Sequence, residues 1–191
     1  MSKAVFESLL SEAFALYQSS PELQAFAPWP EHLEFREKAP EMIPATRQIA
    51  LWQEGNAFHK ATQAMLPFGD WKQTYTEDEV GYGFLQDYGY IELFGPDGHY
   101  HCEELRGYVG YWGRGLYYPW HRHEAEEIYL VVSGGGRFEA EGTEPRQLGP
   151  SECQFHRSNQ PHALTMNEGP ILTFVLWRGS GMDGLPLMGA S

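Results

Sequence analysis

Between residues 88 and 177, short segments of alternating apolar and polar residues recur, and turn sequences separate them. The turns include Gly95-Pro96-Asp97-Gly98, Gly134-Gly135-Gly136 and Asn167-Glu168-Gly169, whose residue types favour tight reversals. Many short strands at regular turn spacing predict an antiparallel sandwich or barrel. The predicted strands are Tyr88–Phe94, Leu105–Trp112, Tyr117–His123, Glu127–Val132, Arg137–Ala140, Cys153–His156, Ala163–Met166 and Ile171–Trp177.

The first third of the chain follows a helical period instead. Apolar residues recur there at the spacing of an amphipathic helix, over residues 6–17, 45–54 and 57–66. These helices are too few for an independent core, so they are expected to cover the β part. We predict a helical extension over residues 1–70 that packs on a β-barrel of residues 71–191, the two forming a single structural domain.

The charge balance excludes some classes of partner. The chain of 191 residues has 13 Lys and Arg against 26 Asp and Glu, a net charge of −13. Nucleic acid and anionic membranes are therefore not expected partners, because phosphates attract a basic face. No apolar run approaches the roughly 20 residues of a membrane-spanning helix, and the N-terminus lacks the pattern of a signal peptide. We expect a cytoplasmic protein that acts on a small molecule.

Two histidines and a carboxylate form the candidate metal site. Alternation along a strand places His121 and His123 on one face, and Glu127 and Tyr129 on one face of the next strand. If the two strands are neighbours, these four side chains converge. Such a donor set suits Zn(II), Fe(II), Mn(II) or Ni(II) rather than calcium.

A later strand is expected to add one more ligand. His162 is the candidate, since Pro161 fixes the direction from which it approaches. His156 competes for this role, although we expect it to be structural or to support a ligand. The other histidines are expected to be ordinary sheet or isolated residues, and two acidic residues to lie on a solvated face: His32, His59, His99, His101, Glu124 and Glu126.

Aromatic residues make up 15% of the chain and crowd the segment before the candidate site. Core packing accounts for most of them. The alternative is an aromatic-lined cavity, which would attract a cationic ligand through cation–π interactions. The crowded residues are Tyr108, Tyr111, Trp112, Tyr117, Tyr118 and Trp120.

The spacing of the candidate site resembles a known family motif. Gly115, His121, His123, Glu127 and Gly134 match the first cupin motif, G-x5-H-x-H-x3-E-x6-G, at every position. The second cupin motif matches less well, because the segment from 149 to 162 is long and Asn159 stands where the motif has glycine. Asn tolerates the left-handed backbone that the turn requires. The resemblance implies a mainly β fold, a cupin antiparallel β-barrel (jelly roll), with the N-terminal α-helical extension added to it.

Longer segments resemble the cupin-type dimethylsulfoniopropionate (DMSP) lyases of the Q type. This family implies a carbon–sulfur lyase that cleaves DMSP to acrylate and dimethyl sulfide at one divalent metal ion. It also implies the metal ligands His121, His123, Glu127 and His162, and catalytic tyrosines at Tyr118 and Tyr129. The similar segments are Asp70–Glu77, Tyr88–Pro96, Leu105–Gly113, Tyr118–His121 and Ile171–Gly179.

The residues are compatible with that chemistry. A metal acidifies the C–H next to a bound carboxylate, and a tyrosine near a dication becomes a usable base. Tyr129 lies close enough to Glu127 in sequence to touch the substrate or to act as a further metal ligand. The sulfonium is expected to rest on the aromatic faces of Tyr118, Trp120 and Trp177.

Two other functions use the same residues. A cupin Fe(II) dioxygenase would couple turnover to oxygen consumption, and a non-catalytic metal-binding sensor would bind metal without turnover. The sequence leaves open the identity of the metal, the choice between Tyr118 and Tyr129 as base, and whether the protein is a monomer or a homodimer.

Overall fold

A computed structural model describes residues 2–53 and 55–189 of the chain. The predicted end of the second helix at Glu54 and the outer limits of the predicted domain, Met1 and Ser191, lie outside the described residues. Helices occupy most of the first third, as predicted, and two further short helices precede the first long strand. The helices are α1 Ser2–Ser19, α2 Pro21–Phe26, α3 Ala45–Leu51, α4 Ala57–Met65, α5 Glu77–Val80 and α6 Tyr82–Gln86, with a 3₁₀ turn at Leu66–Phe68.

Every strand predicted from the alternating pattern is present, with its ends within two residues of the expected positions. Four short strands, β1, β3, β8 and β12, were not predicted. The strands are β1 Glu34–Phe35, β2 Tyr88–Gly95, β3 Tyr100–His101, β4 Arg106–Trp112, β5 Tyr117–Arg122, β6 Glu126–Gly134, β7 Gly136–Ala140, β8 Arg146–Leu148, β9 Cys153–His156, β10 His162–Thr165, β11 Ile171–Arg178 and β12 Leu187–Met188.

These strands form two sheets. The larger has the order β1-β3-β2-β4-β11-β6-β9, and the smaller has the order β12-β5-β10-β7-β8. All pairings are antiparallel except the short contact of β2 with β3. This architecture confirms the prediction of a mainly β, antiparallel fold with N-terminal helices.

The larger sheet separates two hydrophobic cores. On β11, Leu172, Phe174 and Leu176 belong to the core shared with helices α1 to α4. The alternate residues, Val175 and Trp177 among them, belong to the core between the two sheets. Both faces of β11 are buried, since successive side chains point to opposite faces, and each large side chain buried there stabilises the fold by about 1.5–3 kcal/mol.

The N-terminal third is tied to the barrel by strands as well as by helices. Glu34 of β1 pairs with His101 of β3, and a single bridge joins Glu41 to Asp70. The boundary near residue 70 stays a prediction. Among the described residues, no helix is both long enough and apolar enough to cross a membrane.

The C-terminal tail returns to the smaller sheet. Met188 of β12 pairs with His121 of β5, and the amide of Gly189 donates to the carbonyl of Trp120. This pairing brings residues 184–186 to the space between the sheets.

Two glycines of the 115–134 segment offer a test of the fold. Gly115 and Gly134 both have left-handed backbones, with φ of +78° and +71°. A Cβ at Gly115 would meet open space, whereas one at Gly134 would collide with the Pro170 carbonyl oxygen. Gly115→Ala should cost about 1–2 kcal/mol of unfolding free energy, and Gly134→Ala about 1–3 kcal/mol more. Urea denaturation measures both, and equal losses would contradict the collision expected at Gly134.

Candidate active site

A cavity of about 110 Å³ lies between the two sheets. Strands β2, β4, β6 and β11 supply its residues from the larger sheet, and β5 faces them from the smaller one. Its wall is mainly aromatic, so part of the aromatic crowding seen in the sequence belongs to a cavity. The aromatic lining residues are Tyr88, Tyr90, Tyr108, Trp112, Tyr118, Tyr129 and Trp177.

The carboxylate of Glu127 stands at the centre of a ring of polar groups beside this cavity. Its Oε2 atom lies 3.2 Å from Nε2 of His123, 3.1 Å from Nδ1 of His156 and 3.4 Å from Nε2 of His162. Its Oε1 atom accepts a 2.6 Å hydrogen bond from Nε1 of Trp177. Glu127 is only 2% exposed, and a carboxylate buried to this extent must be compensated by its neighbours.

Backbone carbonyls fix the orientation of two of these imidazoles. Nδ1 of His123 lies 2.8 Å from the carbonyl oxygen of Ala125, and Nδ1 of His162 lies 2.8 Å from that of Gln160. Because a carbonyl oxygen only accepts, each Nδ1 carries the hydrogen, and in the neutral ring Nε2 presents a lone pair. Metal-binding histidines are held in this way by their second ring nitrogen.

The donor set fits a divalent metal ion. Donor atoms of His123, Glu127 and His162 all lie within 4.8 Å of one another. Nε2 of His162 is buried without a hydrogen-bond partner and faces Oε2 of Glu127, so two acceptors point at each other. That arrangement is favourable only with a cation between them. Two imidazoles and one carboxylate are the ligand types of transition-metal sites rather than calcium sites.

The charges of neighbouring side chains shift the pKa values of Glu127 and His123. Burial opposes the charged form of Glu127, but the charge and hydrogen bond of His123, with the hydrogen bond of His156, hold the pKa of Glu127 well below the ordinary value. Burial likewise disfavours protonated His123, yet the adjacent Glu127 raises the pKa of that imidazole. Glu127 is therefore an anion in the folded protein.

His121 stands apart from the other three predicted ligands. It does not belong to the compact group of donors, although its ring centroid lies 4.1 Å from that of His162. Burial, with the adjacent His162, holds the pKa of His121 well below the ordinary value, so its ring is neutral. Its Nδ1 lies 2.7 Å from the carbonyl oxygen of Pro119, so Nδ1 carries the hydrogen and Nε2 presents a lone pair that a metal ion could bind. The structure thus brings together three of the four predicted ligands.

The predicted residues converge across the interior rather than along one sheet. His121 lies on β5 of the smaller sheet and His123 directly follows that strand, whereas Glu127 and Tyr129 lie on β6 of the larger sheet. The two strands therefore are not neighbours, which corrects the assumption made from the sequence. The turn between them carries the chain from one sheet to the other, so the strands face each other.

An irregularity in β5 determines the direction of Tyr118. His121 pairs with His162, while Tyr118 pairs with Leu164, so β5 has one residue more than β10 in this interval. This bulge resets the alternation and brings Tyr118 to the same side as His121, where the two rings stack at 3.9 Å. Strict alternation would have placed them on opposite faces.

A second tyrosine, which the sequence did not single out, contacts Tyr118. The hydroxyl of Tyr75 lies 2.5 Å from that of Tyr118, and both side chains are buried. Tyr75 lies just before α5, in a segment without strand or helix pattern, so no local signal pointed to it. Tyr88 and Tyr90 were also missed as lining residues, although their alternation on β2 placed them on a common face.

The three aromatic residues expected to hold a sulfonium have different surroundings. Tyr118 and Trp177 line the cavity, and the Trp177 ring also stacks on His123 with centroids 4.2 Å apart. Trp120 does not line the cavity, which corrects its predicted position. It lies within the bulge, where the extra residue removes it from the face shared by Tyr118 and His121.

Tyr129 lines the cavity beside Glu127, on the same face of β6. Burial, followed by the negative charge of Glu127, raises the pKa of the Tyr129 phenol well above its ordinary value. Burial, together with neighbouring tyrosines, does the same to Tyr118. Each phenol therefore needs a nearby cation before it can act as a base.

His59, His99 and His101 lie elsewhere and have local partners, as expected. Nδ1 of His59 lies 2.9 Å from the Ser133 hydroxyl, and His99 accepts a hydrogen bond from the amide of Asp70. Glu126 accepts a hydrogen bond from Arg178 outside the cavity. Asn159, predicted to take the role of a turn glycine, has φ of +58°.

Removing one compact donor should weaken metal binding strongly. His162→Ala leaves Glu127 and His123 in place but removes the Nε2 atom that lacks another partner. The dissociation constant should rise by more than the roughly 10–100-fold typical of losing an outer partner of a metal ligand. Competition with a chromogenic chelator measures it, with His32→Ala at an exposed position as control. Equal affinities of the two variants would contradict the assigned site.

Comparison with known proteins agrees with this geometry. The family model described as dimethylsulfoniopropionate lyase matches residues 19–173. The chain is 35% identical over 182 residues to dimethylsulfoniopropionate lyase DddQ of Ruegeria pomeroyi, covering 91% of this chain and 89% of that protein.

Solved structures extend the similarity to the whole fold. A chain from the crystal structures of the DMSP lyases RdDddP and RnDddQII superposes with a TM-score of 0.96 at 39% identity, covering 99% of this chain and 100% of that one. The crystal structure of DMSP lyase DddQ from Ruegeria pomeroyi DSS-3 gives a TM-score of 0.91 at 33% identity, covering 97% and 96%. The predicted cupin fold and the predicted family are confirmed: this chain belongs to the dimethylsulfoniopropionate lyases, a family of carbon–sulfur lyases.

Proposed function

We propose that this protein cleaves dimethylsulfoniopropionate to acrylate and dimethyl sulfide by β-elimination at a divalent transition metal. The observation that carries the proposal is the compact, buried group of His123, Glu127 and His162 beside an aromatic cavity. The relatives named above act on the same substrate. DMSP has a carboxylate at one end and a sulfonium at the other, which suits a cationic centre beside aromatic faces.

His123, Glu127 and His162 would hold the metal, with His121 as the fourth ligand and Tyr129 as a further candidate. Zn(II), Fe(II), Mn(II) and Ni(II) all suit these donors, and availability decides among them. When bound, the metal supplies Lewis-acid chemistry that acidifies the C–H beside the substrate carboxylate.

Tyr129 is the proposed base, because it lines the cavity on the Glu127 face. Its phenolate oxygen takes the proton from the carbon next to the carboxylate. The electron pair of that C–H bond forms the C=C bond of acrylate, and the C–S pair leaves with sulfur as neutral dimethyl sulfide. No oxidant takes part, and the proton stays on Tyr129 until solvent removes it.

Tyr118 and Trp177 are the proposed neighbours of the sulfonium. Both line the cavity, and their ring faces offer the negative quadrupole that a sulfonium prefers. The hydroxyl of Tyr75 restrains Tyr118, since the two oxygens are within hydrogen-bond distance.

The direct test is release of dimethyl sulfide from DMSP, followed by gas chromatography. Metal-loaded protein should produce dimethyl sulfide and acrylate in equal amounts, without oxygen, and His123→Ala should reduce release to background. His32→Ala should keep full activity, because this residue is exposed. Absence of release with Zn, Fe, Mn and Ni would refute the proposal, and oxygen-dependent turnover would indicate a dioxygenase instead.

Two conservative variants distinguish the proposed base, Tyr129, from Tyr118, the proposed neighbour of the sulfonium. Tyr129→Phe removes the proposed base and should lower kcat by about 10²–10⁴-fold with little change in KM. Tyr118→Phe should raise KM for DMSP with a smaller change in kcat. Steady-state kinetics measures both, and the reverse pattern would assign the base to Tyr118.

Tyr75→Phe tests whether the hydrogen bond between the Tyr75 and Tyr118 hydroxyls holds Tyr118 in position. Loss of one hydrogen bond is worth about 0.5–1.5 kcal/mol, so KM should rise roughly 2–10-fold while the fold is kept. Tyr82→Phe is the matched control, since this tyrosine is exposed on α6. Identical kinetics of wild type and Tyr75→Phe would show that the contact does not position Tyr118.

A further inference from the structure

Trp177 has two contacts with the ligand group that a residue serving only the substrate would not need. Its Nε1–H donates to Oε1 of Glu127 over 2.6 Å, and its ring stacks on His123 with centroids 4.2 Å apart and planes 28° from parallel. Hydrogen bonds to a charged acceptor are about twice as strong as neutral ones. The indole therefore touches two of the three compact donors.

The register of the larger sheet produces these contacts. Trp177 of β11 pairs with Glu127 of β6, which pairs in turn with His156 of β9. Residues directly opposite each other in antiparallel strands point to the same face. The three side chains thus form one row, in which the carboxylate is held from both sides.

The two oxygens of Glu127 have different partners as a result. Oε1 is occupied by the indole of Trp177, whereas Oε2 faces the imidazoles of His123, His156 and His162. A carboxylate without the indole contact can rotate about its terminal bond and exchange its oxygens. The indole contact removes that freedom.

We infer that Trp177 is a positioning residue of the metal centre, which holds Oε1 of Glu127 and so presents Oε2 alone to the metal. This role rests on the proposed metal-dependent function and goes beyond binding of a sulfonium. It predicts that Trp177 contributes to metal affinity before any substrate is present. Outer partners of metal ligands are typically worth 10–100-fold in affinity.

The experiment measures metal affinity of the substrate-free protein by competition with a chelator, using Zn(II). Trp177→Phe keeps an aromatic ring but loses the N–H, and should weaken Zn(II) binding by about 10–100-fold. Trp112→Phe is the matched control, because Trp112 lines the same cavity but its buried Nε1 has no hydrogen-bond partner. It should bind Zn(II) as the wild type does. Unchanged affinity of Trp177→Phe, with only KM for DMSP altered, would overturn the inference.

A second measurement does not depend on metal or activity. In the metal-free, ¹⁵N-labelled protein, the indole N–H of Trp177 should resonate downfield and exchange slowly, and Glu127→Gln should move it upfield. A Trp177 signal that is insensitive to Glu127→Gln would overturn the inference even if Trp177→Phe proved unstable. Inactivity towards DMSP together with Trp177-dependent Zn(II) affinity would refute the proposed function and leave this role supported.

Discussion

The groups between the two sheets are arranged around one buried carboxylate, that of Glu127. Glu127 sits between two sheets, and an isolated charge in that place would be strongly unfavourable. The fold surrounds it with His123, His156, His162 and the indole of Trp177. Buried ion pairs seldom add net stability, so this arrangement is better understood as a functional centre whose charge a cation completes.

The jelly-roll topology makes that convergence possible. The larger sheet holds Glu127 in a row with Trp177 and His156, and its far face is covered by helices. The smaller sheet presents His121 and His162 from the opposite side, and His123 directly follows its strand β5. Because helices bury one face of the larger sheet, its other face is free to combine an aromatic cavity with charged groups.

Sequence pattern alone predicted the strands well, because turn sequences separate the short apolar segments, even where both faces of a strand are buried, as in β11. It also singled out His121, His123, Glu127 and His162 as candidate ligands, and the structure brings the last three together. It failed at Trp120, because one extra residue in β5 interrupts the alternation and leaves no mark in composition.

Contacts between distant segments were not predictable from local pattern. Tyr75 reaches Tyr118 from an irregular segment, and the row of Trp177 with Glu127 depends on the register between β11 and β6. Register is set by the whole sheet rather than by either strand. The return of the tail to β5 likewise depends on tertiary pairing, since its glycine-rich composition favours no regular structure.

Glu127 is proposed to organise a metal site through one of its two oxygens. A crystal structure of the metal-loaded protein, with data collected at the absorption edge of the metal, tests this most directly. We predict one anomalous peak bonded to Oε2 of Glu127 and to Nε2 of His121, His123 and His162, with Oε1 still bound to Trp177. A peak elsewhere, or a metal bonded to both oxygens of Glu127, would contradict it.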